Sequence, residues 1–405
     1  MRVVIIGGGA AGVACAIEAA SCGHQVTLLE RMDRVGKKIL ATGNGRCNLM
    51  NTGALRYPCG GSFAANVLDA CGADAQKAFW HKLGLRMREE DGGRVYPASG
   101  QASTVLDTLR LALDTHRVAV FTNTTVTAIS KSKKGFSACT ADGRQFSCDR
   151  VVIAGGGKAQ PKLGSDGSTL SLLATLGHTI HSCSPALTAL NCDQKSLAGL
   201  SGIRVKARVS VSCNGRHVHS EAGEVLFTDT GLSGVCIMNC SGYVVPGHSE
   251  MHMDLLPSLG LSDERDAIKE LHRRRVVLDD QPMEQLLTGL CVPRLASALC
   301  KKAGIRWKER TCGNLTEAEL SSLARTICDF SVPVLSLRGF EQAQVTRGGA
   351  ACEEFDAHTM QSRLVPGLYA AGEVLDVDGE CGGFNLMFAF GSGILAGKSL
   401  EVCNV

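Results

Sequence analysis

The chain has little of what several large function classes require. No hydrophobic stretch supplies the roughly twenty apolar residues of a membrane-spanning helix. Val3 to Ala20 is interrupted by four glycines and Glu18, and Gly382 to Gly397 is uncharged but rich in glycine. A charge excess is missing as well. The 42 Lys and Arg against 39 Asp and Glu leave +3, too balanced for the footprint of a nucleic-acid binder, so no polyanion partner is expected. There is no C-x-x-C pair; Cys236 and Cys240, with three residues between them, have no His or Cys set nearby, and no metal site is expected. Aromatic residues make up only 4%, with 4 Tyr and 2 Trp. The opening Met1-Arg2-Val3-Val4-Ile5-Ile6 leaves no room for a secretion leader, which predicts a cytoplasmic location.

Two residue types are abundant instead. Glycine occupies 47 of 405 positions, well above the ~7% of an average protein. Cysteine occupies 19, an odd number that cannot pair completely within one chain, and in a reducing compartment the expectation is free thiols packed as small hydrophobes. At about 150 residues per domain, the length predicts two or three domains.

The first thirty residues read strand, turn, helix, strand. Val3 to Ile6 is a β-branched run suited to a parallel strand buried on both faces. Gly7, Gly9 and Gly12 fit G-x-G-x-x-G, a small-residue helix runs from Ala11 to Ser21, and Gln25 to Leu29 forms a second strand ending in Glu30. That spacing predicts a pyrophosphate on the helix N-terminus and a carboxylate accepting from ribose hydroxyls. Val118–Thr122, Val126–Ser130, Phe136–Thr140 and Gln145–Cys148 read as an antiparallel meander leading into a strand that ends at Ala154-Gly155-Gly156-Gly157. The following region is β then α: strands at Val205–Ser212 and His217–Glu224, and helices at Asp263–Val277, Met283–Lys302 and Glu317–Phe330. Lys131–Lys134 and His272–Arg275 read as solvated charge. Near the end, Pro366 to Glu373 reads as a short strand closing on Gly and an acid, and Gly382-Gly383-Phe384-Asn385 opens an apolar helix to about Val402.

The most specific stretch is Glu30-Arg31 with Gly36-Lys37-Lys38-Ile39-Leu40-Ala41-Thr42-Gly43-Asn44-Gly45-Arg46-Cys47-Asn48. It is joined by Gly93-Arg94-Val95-Tyr96-Pro97, Gly223 to Thr228, Asp254-Leu255-Leu256-Pro257, and Leu364 through Gly383. On these residues the chain resembles the YhiN/BaiN-like family of glutathione-reductase-type flavoproteins over nearly its whole length. The resemblance implies an α/β fold: a discontinuous Rossmann-like FAD-binding domain (1–165 and 341–405), an inserted β-barrel-like domain (166–262 and 306–340) and a small helical insert (263–305). It implies FAD along Gly7, Gly9, Ala11, Gly12, Glu30, Arg31, Lys38, Thr42, Gly43, Arg46 and Asn48. It also implies Val126 by the adenine, Gly155 in the third-strand turn, and Gly372, Glu373, Gly383, Phe384, Asn385 and Leu386 by the ribityl chain and ring. Cys381, Phe384 and Met387 stand where the family often has Thr, Tyr and Gln, which predicts a more apolar pocket.

The reaction the resemblance implies is hydride reduction of an activated C=C bond in a small apolar or cyclic enone, with Arg46, Tyr96, Arg94 and Tyr243 as candidate polarisers or proton donors. No second G-x-G-x-x-G is present, so NAD(P)H is expected as a transient electron donor. Oxidation of a small amine is the alternative, disfavoured by too few Tyr and Trp for an aromatic cage. A flavin-binding redox sensor without turnover is another. Cys47 and Cys381 are the thiols nearest the expected flavin; Cys47, without a neighbouring Cys, is expected to pack rather than to react.

Overall fold

The computed structural model describes residues 1–306 and 310–400. The expected end of the last helix at Val402, and the parts of the expected domains over 307–309 and 401–405, lie outside the described residues. The chain divides into two compact units, Met1–Ala186 with Phe340–Val405, and Leu187–Gly339.

In the first unit the expected βαβ motif is β1 (Arg2–Ile6), α1 (Ala10–Ser21) and β2 (Gln25–Leu29). Together with β3 (Ala119–Phe121), β4 (Arg150–Ile153) and β5 (Leu368–Ala370), these strands make a parallel sheet in the order β5-β4-β1-β2-β3. Val3 to Ile6 are all buried, the pattern of a strand covered on both faces. The register sets Ile6 beside Leu29 on one side and Ile153 on the other. The carboxyl ends of these strands therefore share one edge, where open α/β sheets take ligands.

The last helix, α2 (Phe384–Lys398), packs against α1. A Cβ on Gly393 would stand 2.2 Å from the Ala11 carbonyl oxygen, so glycine is what lets the two backbones approach. Ser392 Oγ accepts from the Gly372 N–H at 2.9 Å, tying α2 to the end of β5. Glycines 382 to 397 thus serve a buried helix of the fold.

Val118–Thr122, expected as the first strand of the meander, is not part of it. Ala119–Phe121 pairs with β2 as the sheet's edge, and the Glu30 N–H donates to Phe121 O at 2.8 Å. Three residues carry too short a pattern to reveal their partner. The meander keeps three strands, Val126–Ser132, Gly135–Thr140 and Gln145–Cys148.

The boundary near 165 also moves. The helix Ser168–Thr175 and the strand Ile180–Ala186 belong to the first unit, because that strand pairs antiparallel with Val345–Ala350.

The second unit is a six-stranded closed barrel of Leu190–Cys192, Gly231–Ser233, Arg216–Thr228, Arg204–Cys213, Ser249–Asp254 and Phe330–Leu337. Val205, Ala207, Val209 and Val211 alternate inward, as the two-residue period of a strand dictates. The helices Glu264–Val277, Pro293–Lys302 and Glu317–Cys328 share the barrel's apolar core, so the helical segment is not a separate body here. Met283–Lys302 is broken by Pro293, which starts the helix instead of lying inside it. Glu317–Phe330 stops at Cys328, and Phe330 begins a barrel strand. Thr316 caps that helix by accepting from the Glu319 N–H, in a reciprocal box. Among the described residues no helix is long and apolar enough to cross a membrane.

Candidate functional site

The first turn of α1 is shaped by two glycines with opposite surroundings. A Cβ on Gly12 would stand 1.9 Å from Gly7 O, whereas one on Gly9 would meet no heavy atom within 4 Å. Gly9 is the extended N-cap and brings no side-chain cap. The first N–H groups of α1 have no acceptor within the helix, and the positive end of its dipole lies here. Ala11 is buried beneath this opening. Beside it Glu30, buried at the end of β2, accepts from the Gly8 N–H at 2.6 Å and the Met32 N–H at 2.7 Å. A carboxylate offers about four acceptor positions, so acceptor capacity remains. Arg31 pairs with Asp166. Val126 is buried at the start of its strand, two residues after Thr124, whose N–H donates to Glu30 O.

Thr42 to Asn48 follows a one-turn helix, Lys37–Ala41. Gly43, Asn44, Gly45 and Cys47 all have left-handed backbone, with φ of 56°, 55°, 82° and 57°. Non-glycine residues adopt this region rarely, and surrounding structure must hold them there. The Thr42 hydroxyl donates to Ile39 O, the Cys47 N–H to Thr42 O, and the Leu49 N–H to Val95 O. Cys47 is fully buried, and burial pushes its thiol up to about 12. Only the thiolate is reactive, so these surroundings favour packing.

The opposite wall joins distant parts of the chain. Lys38 Nζ meets Glu373 Oε2 at 2.7 Å, and the other Glu373 oxygen accepts from the Thr346 N–H at 2.9 Å. Thr346, fully buried, accepts through its hydroxyl from the N–H groups of Lys158 and Ala159. A Cβ on Gly155 would stand 2.3 Å from the Thr169 side chain, whose buried hydroxyl has no hydrogen-bond partner among the described residues.

At the N-terminus of α2, Gly383 caps in left-handed backbone and supplies no side chain. A Cβ there would meet Met50 O at 2.6 Å and Asn48 Oδ1 at 2.8 Å. Asn48 is buried, and its Oδ1 has no hydrogen-bond partner among the described residues. Asn51 Nδ2 donates to Gly382 O at 2.8 Å and Gly92 O at 3.1 Å, fixing the turn before the helix. The Tyr57 hydroxyl donates to Phe384 O at 2.7 Å, and burial pushes its phenol pKa upward, so the donor stays protonated. Asn385 departs from its expected place beside a ribityl chain in one respect: its carboxamide is engaged with the backbone N–H and C=O of Gly379. Leu386 is half-buried, and so is Cys381.

Arg46 and Tyr96 do come together. The guanidinium carbon lies 4.1 Å from the Tyr96 ring centroid, a cation–π geometry. Glu90 Oε1 holds Arg46 Nη2 at 2.5 Å, and this pairing draws the Glu90 carboxyl below its usual range. Arg94 is exposed at the start of the strand that carries Tyr96. Tyr243 belongs to the second unit, where its ring stacks on His219 at 4.0 Å.

Glu90, Asn51, Tyr57 and Thr346 escaped the sequence reading. So did Arg347, which forks onto the buried Asp378 at 3.1 and 2.9 Å. Burial raises the Asp378 carboxyl above its usual range although Arg347 opposes the shift. Gly348-Gly349 right after Arg347 was the available signal, since paired glycines in a strand mark a close backbone approach.

These features suit a flavin dinucleotide. An uncapped helix N-terminus at an open glycine suits a pyrophosphate, and a buried orphan acceptor at a second helix N-terminus suits a group that both donates and accepts. A cavity of about 410 Å³ elsewhere in the first unit, lined among others by Cys59, Phe63, His181, Arg363 and Asp376, contains none of the residues expected from sequence.

Residues 1–399 match the model of a family described as HI0933-like protein Rossmann domain. The chain is 37% identical over 98% of its length, and 98% of the relative's, to a 3-dehydro-bile acid delta(4,6)-reductase of Clostridium scindens. It is 28% identical over 96% of its length, and 95% of the relative's, to a ribosomal RNA dihydrouridine synthase of Escherichia coli. The solved open conformation of a flavocytochrome c3 fumarate reductase has the same fold, at TM-score 0.50 and 17% identity over 98% of this chain and 78% of that one. The chain is an FAD-dependent oxidoreductase and belongs to the HI0933-like Rossmann family.

Proposed function

We propose that the protein reduces a carbon–carbon double bond conjugated to a carbonyl in a small cyclic, largely apolar enone, with NAD(P)H as the transient electron source. The observation that carries this reading is the full-length similarity to a relative named for reducing a 3-dehydro-bile acid. FAD, once bound, supplies hydride chemistry at N5. The residues we propose to hold it are Gly7, Gly9, Ala11, Gly12, Glu30, Arg31 and Val126 on the adenosine and pyrophosphate side. Lys38, Thr42, Gly43, Arg46, Asn48, Gly155, Gly372, Glu373, Gly383, Phe384, Asn385 and Leu386 would serve the ribityl and ring side.

The enone needs its carbonyl oxygen stabilised as negative charge grows there, and a proton at the α-carbon. Arg46, held between Glu90 and the Tyr96 face, keeps donors for that oxygen. Tyr96 supplies the proton, leaving a saturated ketone with one hydride and one proton added. Arg94, exposed on the same strand, would meet a polar end of the substrate.

The relative named for ribosomal RNA belongs to the same bond class, because the uracil C5=C6 bond is also conjugated to a carbonyl. The charge distribution supports the small-molecule reading. The net charge is +3, and Arg273, Arg274, Arg310 and Arg363 are all paired with acids. A phosphate backbone needs cations free to replace counterions. The free thiols among the described residues, of which only Cys22 is exposed, support a reducing cytoplasm as the location.

Anaerobic mixing with NADH or NADPH is the test. The expected result is bleaching of the flavin, then reoxidation by a 3-oxo-4-ene steroid, with mass spectrometry showing two hydrogens gained. Bleaching by aminoacetone with peroxide release would establish the amine oxidase. Reoxidation by a uridine-containing RNA and not by steroid would move the substrate to nucleic acid. No bleaching by any donor would leave a flavin-binding sensor.

A further inference from the structure

We propose that Ser212, His252 and Asp329 form a nucleophilic triad on the outer face of the second unit's barrel, a site for small activated acyl groups that works without the flavin.

The sheet itself aligns the three. The strand Ser249–Asp254 lies between Arg204–Cys213 and Phe330–Leu337, and its register sets His252 opposite Ser210 on one side and Ser331 on the other. Met251 and Met253 are buried in the core, so the alternation of the strand turns His252 outward. Ser212 and Asp329, which immediately precedes the third strand, are its diagonal neighbours, near enough for side chains to meet. Ser212 Oγ lies 2.9 Å from His252 Nε2, and Asp329 Oδ1 lies 2.9 Å from His252 Nδ1. An ionised carboxylate only accepts, so Nδ1 carries the proton and Nε2 presents its lone pair to the Ser212 hydroxyl. Each group therefore has the place that activation of a hydroxyl needs: a nucleophile, a base, and a carboxylate positioning the base.

A second chain of the same connectivity shows what a packing network looks like. Ser362 Oγ lies 2.9 Å from His178 Nε2, and Glu354 Oε2 lies 2.8 Å from His178 Nδ1. Ser362 and His178 are 3% and 4% exposed, and Ser362 Oγ already accepts from the Leu364 and Val365 N–H groups. No acyl group reaches that hydroxyl. At the barrel Ser212 is half-buried, the His252 side chain is 29% exposed and that of Asp329 57%. Solvent-borne esters reach these atoms. Glu250 Oε2, 4.0 Å from His252 Nε2, adds a second carboxylate that favours the imidazolium as it forms.

The step is acyl transfer. The Ser212 oxygen bonds to the carbonyl carbon while its proton moves to His252 Nε2; the ester C–O bond then breaks, and the leaving alcohol takes that proton. Water attacks the acyl-serine in the same way, its proton passing through Nε2, and releases a carboxylic acid and the free serine. No oxidant or reductant enters. An open face leaves the developing oxyanion to water instead of buried donors, so the substrate class is esters and thioesters with good leaving groups.

The test treats the full-length, FAD-loaded protein with an ethoxyfluorophosphonate probe and, separately, with p-nitrophenyl acetate, and locates the adduct by peptide mass spectrometry. Ser212 is expected to carry the label and Ser362 none. Release of p-nitrophenol should fall about a hundredfold in Ser212→Ala and in His252→Gln, the scale of general-base catalysis. Asp329→Asn should lose about tenfold, less than an enclosed triad loses because this carboxylate is exposed. Asp329→Glu should recover most of that loss, which a merely structural aspartate would not predict, and bound FAD should be unchanged in all four variants. Labelling of Ser212 no faster than that of other exposed serines overturns the proposal. So does label on Ser362 in its place, or p-nitrophenol release unchanged in Ser212→Ala. The wild-type adduct map decides even where a variant fails to fold.

Discussion

The two helix N-termini of the first unit face different requirements, although α1 and α2 both begin at a glycine without a side-chain cap. At Gly9 the space is empty to 4 Å; at Gly383 it is crowded by Met50 O and Asn48 Oδ1. An open N-terminus offers charge and backbone N–H groups to any anion that reaches it. A crowded one imposes shape and a donor pattern. On the function proposed above, a dinucleotide with a charged middle and a hydrogen-bonding ring at one end would use one of each.

The sharpest way to break this comparison is to place a methyl group at either glycine of the first turn. Gly12→Ala drives a Cβ to 1.9 Å from Gly7 O. Overpacking of that kind costs ~1–3 kcal/mol or more, so lowered melting temperature and loss of bound FAD are expected together. Gly9→Ala meets nothing in the protein. The apoprotein should melt as the wild type does, while FAD affinity falls at least about tenfold, ~1.4 kcal/mol. Equal loss of apoprotein stability in both variants would show that Gly9 serves the fold.

Gly393→Ala comes next and probes the contact that holds the two ends of the chain together. Its Cβ would stand 2.2 Å from Ala11 O. A loss of ~1–3 kcal/mol in urea unfolding is expected, with FAD affinity falling alongside because α1 and α2 shift apart. A stability change without any change in FAD affinity would separate the packing of α2 from the cradle at its start.

The same contrast explains what was legible. The G-x-G-x-x-G turn, Glu30 and the β-branched strands could be read because parallel sheets and phosphate turns impose local patterns of fixed length. The Thr42–Asn48 motif was recognisable, but its four left-handed residues were not, since nothing in T-G-N-G-R-C-N states its dihedral angles. Glu90, Thr346 and Asn51 act through partners 27 to 331 residues away. Such groups leave no periodic trace, and only the folded chain brings them to Arg46, Glu373 and Gly382. Val118–Thr122 was misassigned for the same reason, because a three-residue strand takes its neighbour from tertiary structure. The expected helix Met283–Lys302 instead breaks before Pro293, because a helical pattern of apolar residues continues on either side of a proline that starts a new helix.

Glu90→Gln tests the region between the two helix starts, where Arg46 is steered rather than anchored. Both side chains are partly exposed, so the pairing contributes modestly. The expected result is a roughly fivefold fall in kcat/KM, within what an exposed ion pair supports, carried mainly by KM and with FAD affinity unchanged. Arg46→Lys should lose more, since lysine cannot keep the planar guanidinium over Tyr96 while holding Glu90. If Glu90→Gln alters FAD affinity and leaves KM alone, Glu90 belongs to the cofactor site.

The smallest effect lies away from both helix starts, at the His181–Asp376 contact of 2.7 Å. The hydrogen bond to Asp376 raises the His181 pKa above its ordinary value of 6.5, against a smaller opposing effect of desolvation. A histidine whose folded pKa is raised binds its proton more tightly in the folded state, so its contribution is complete below about 6.5 and is lost as pH climbs through the folded value. The imidazole is almost half exposed, which limits the size of that contribution. Urea midpoints should therefore fall slightly between pH 6 and pH 8 in the wild type, and less steeply in His181→Gln. A steeper fall in the variant would show that the slope arises from other groups. A change in the flavin spectrum over the same range would tie this contact to the cofactor.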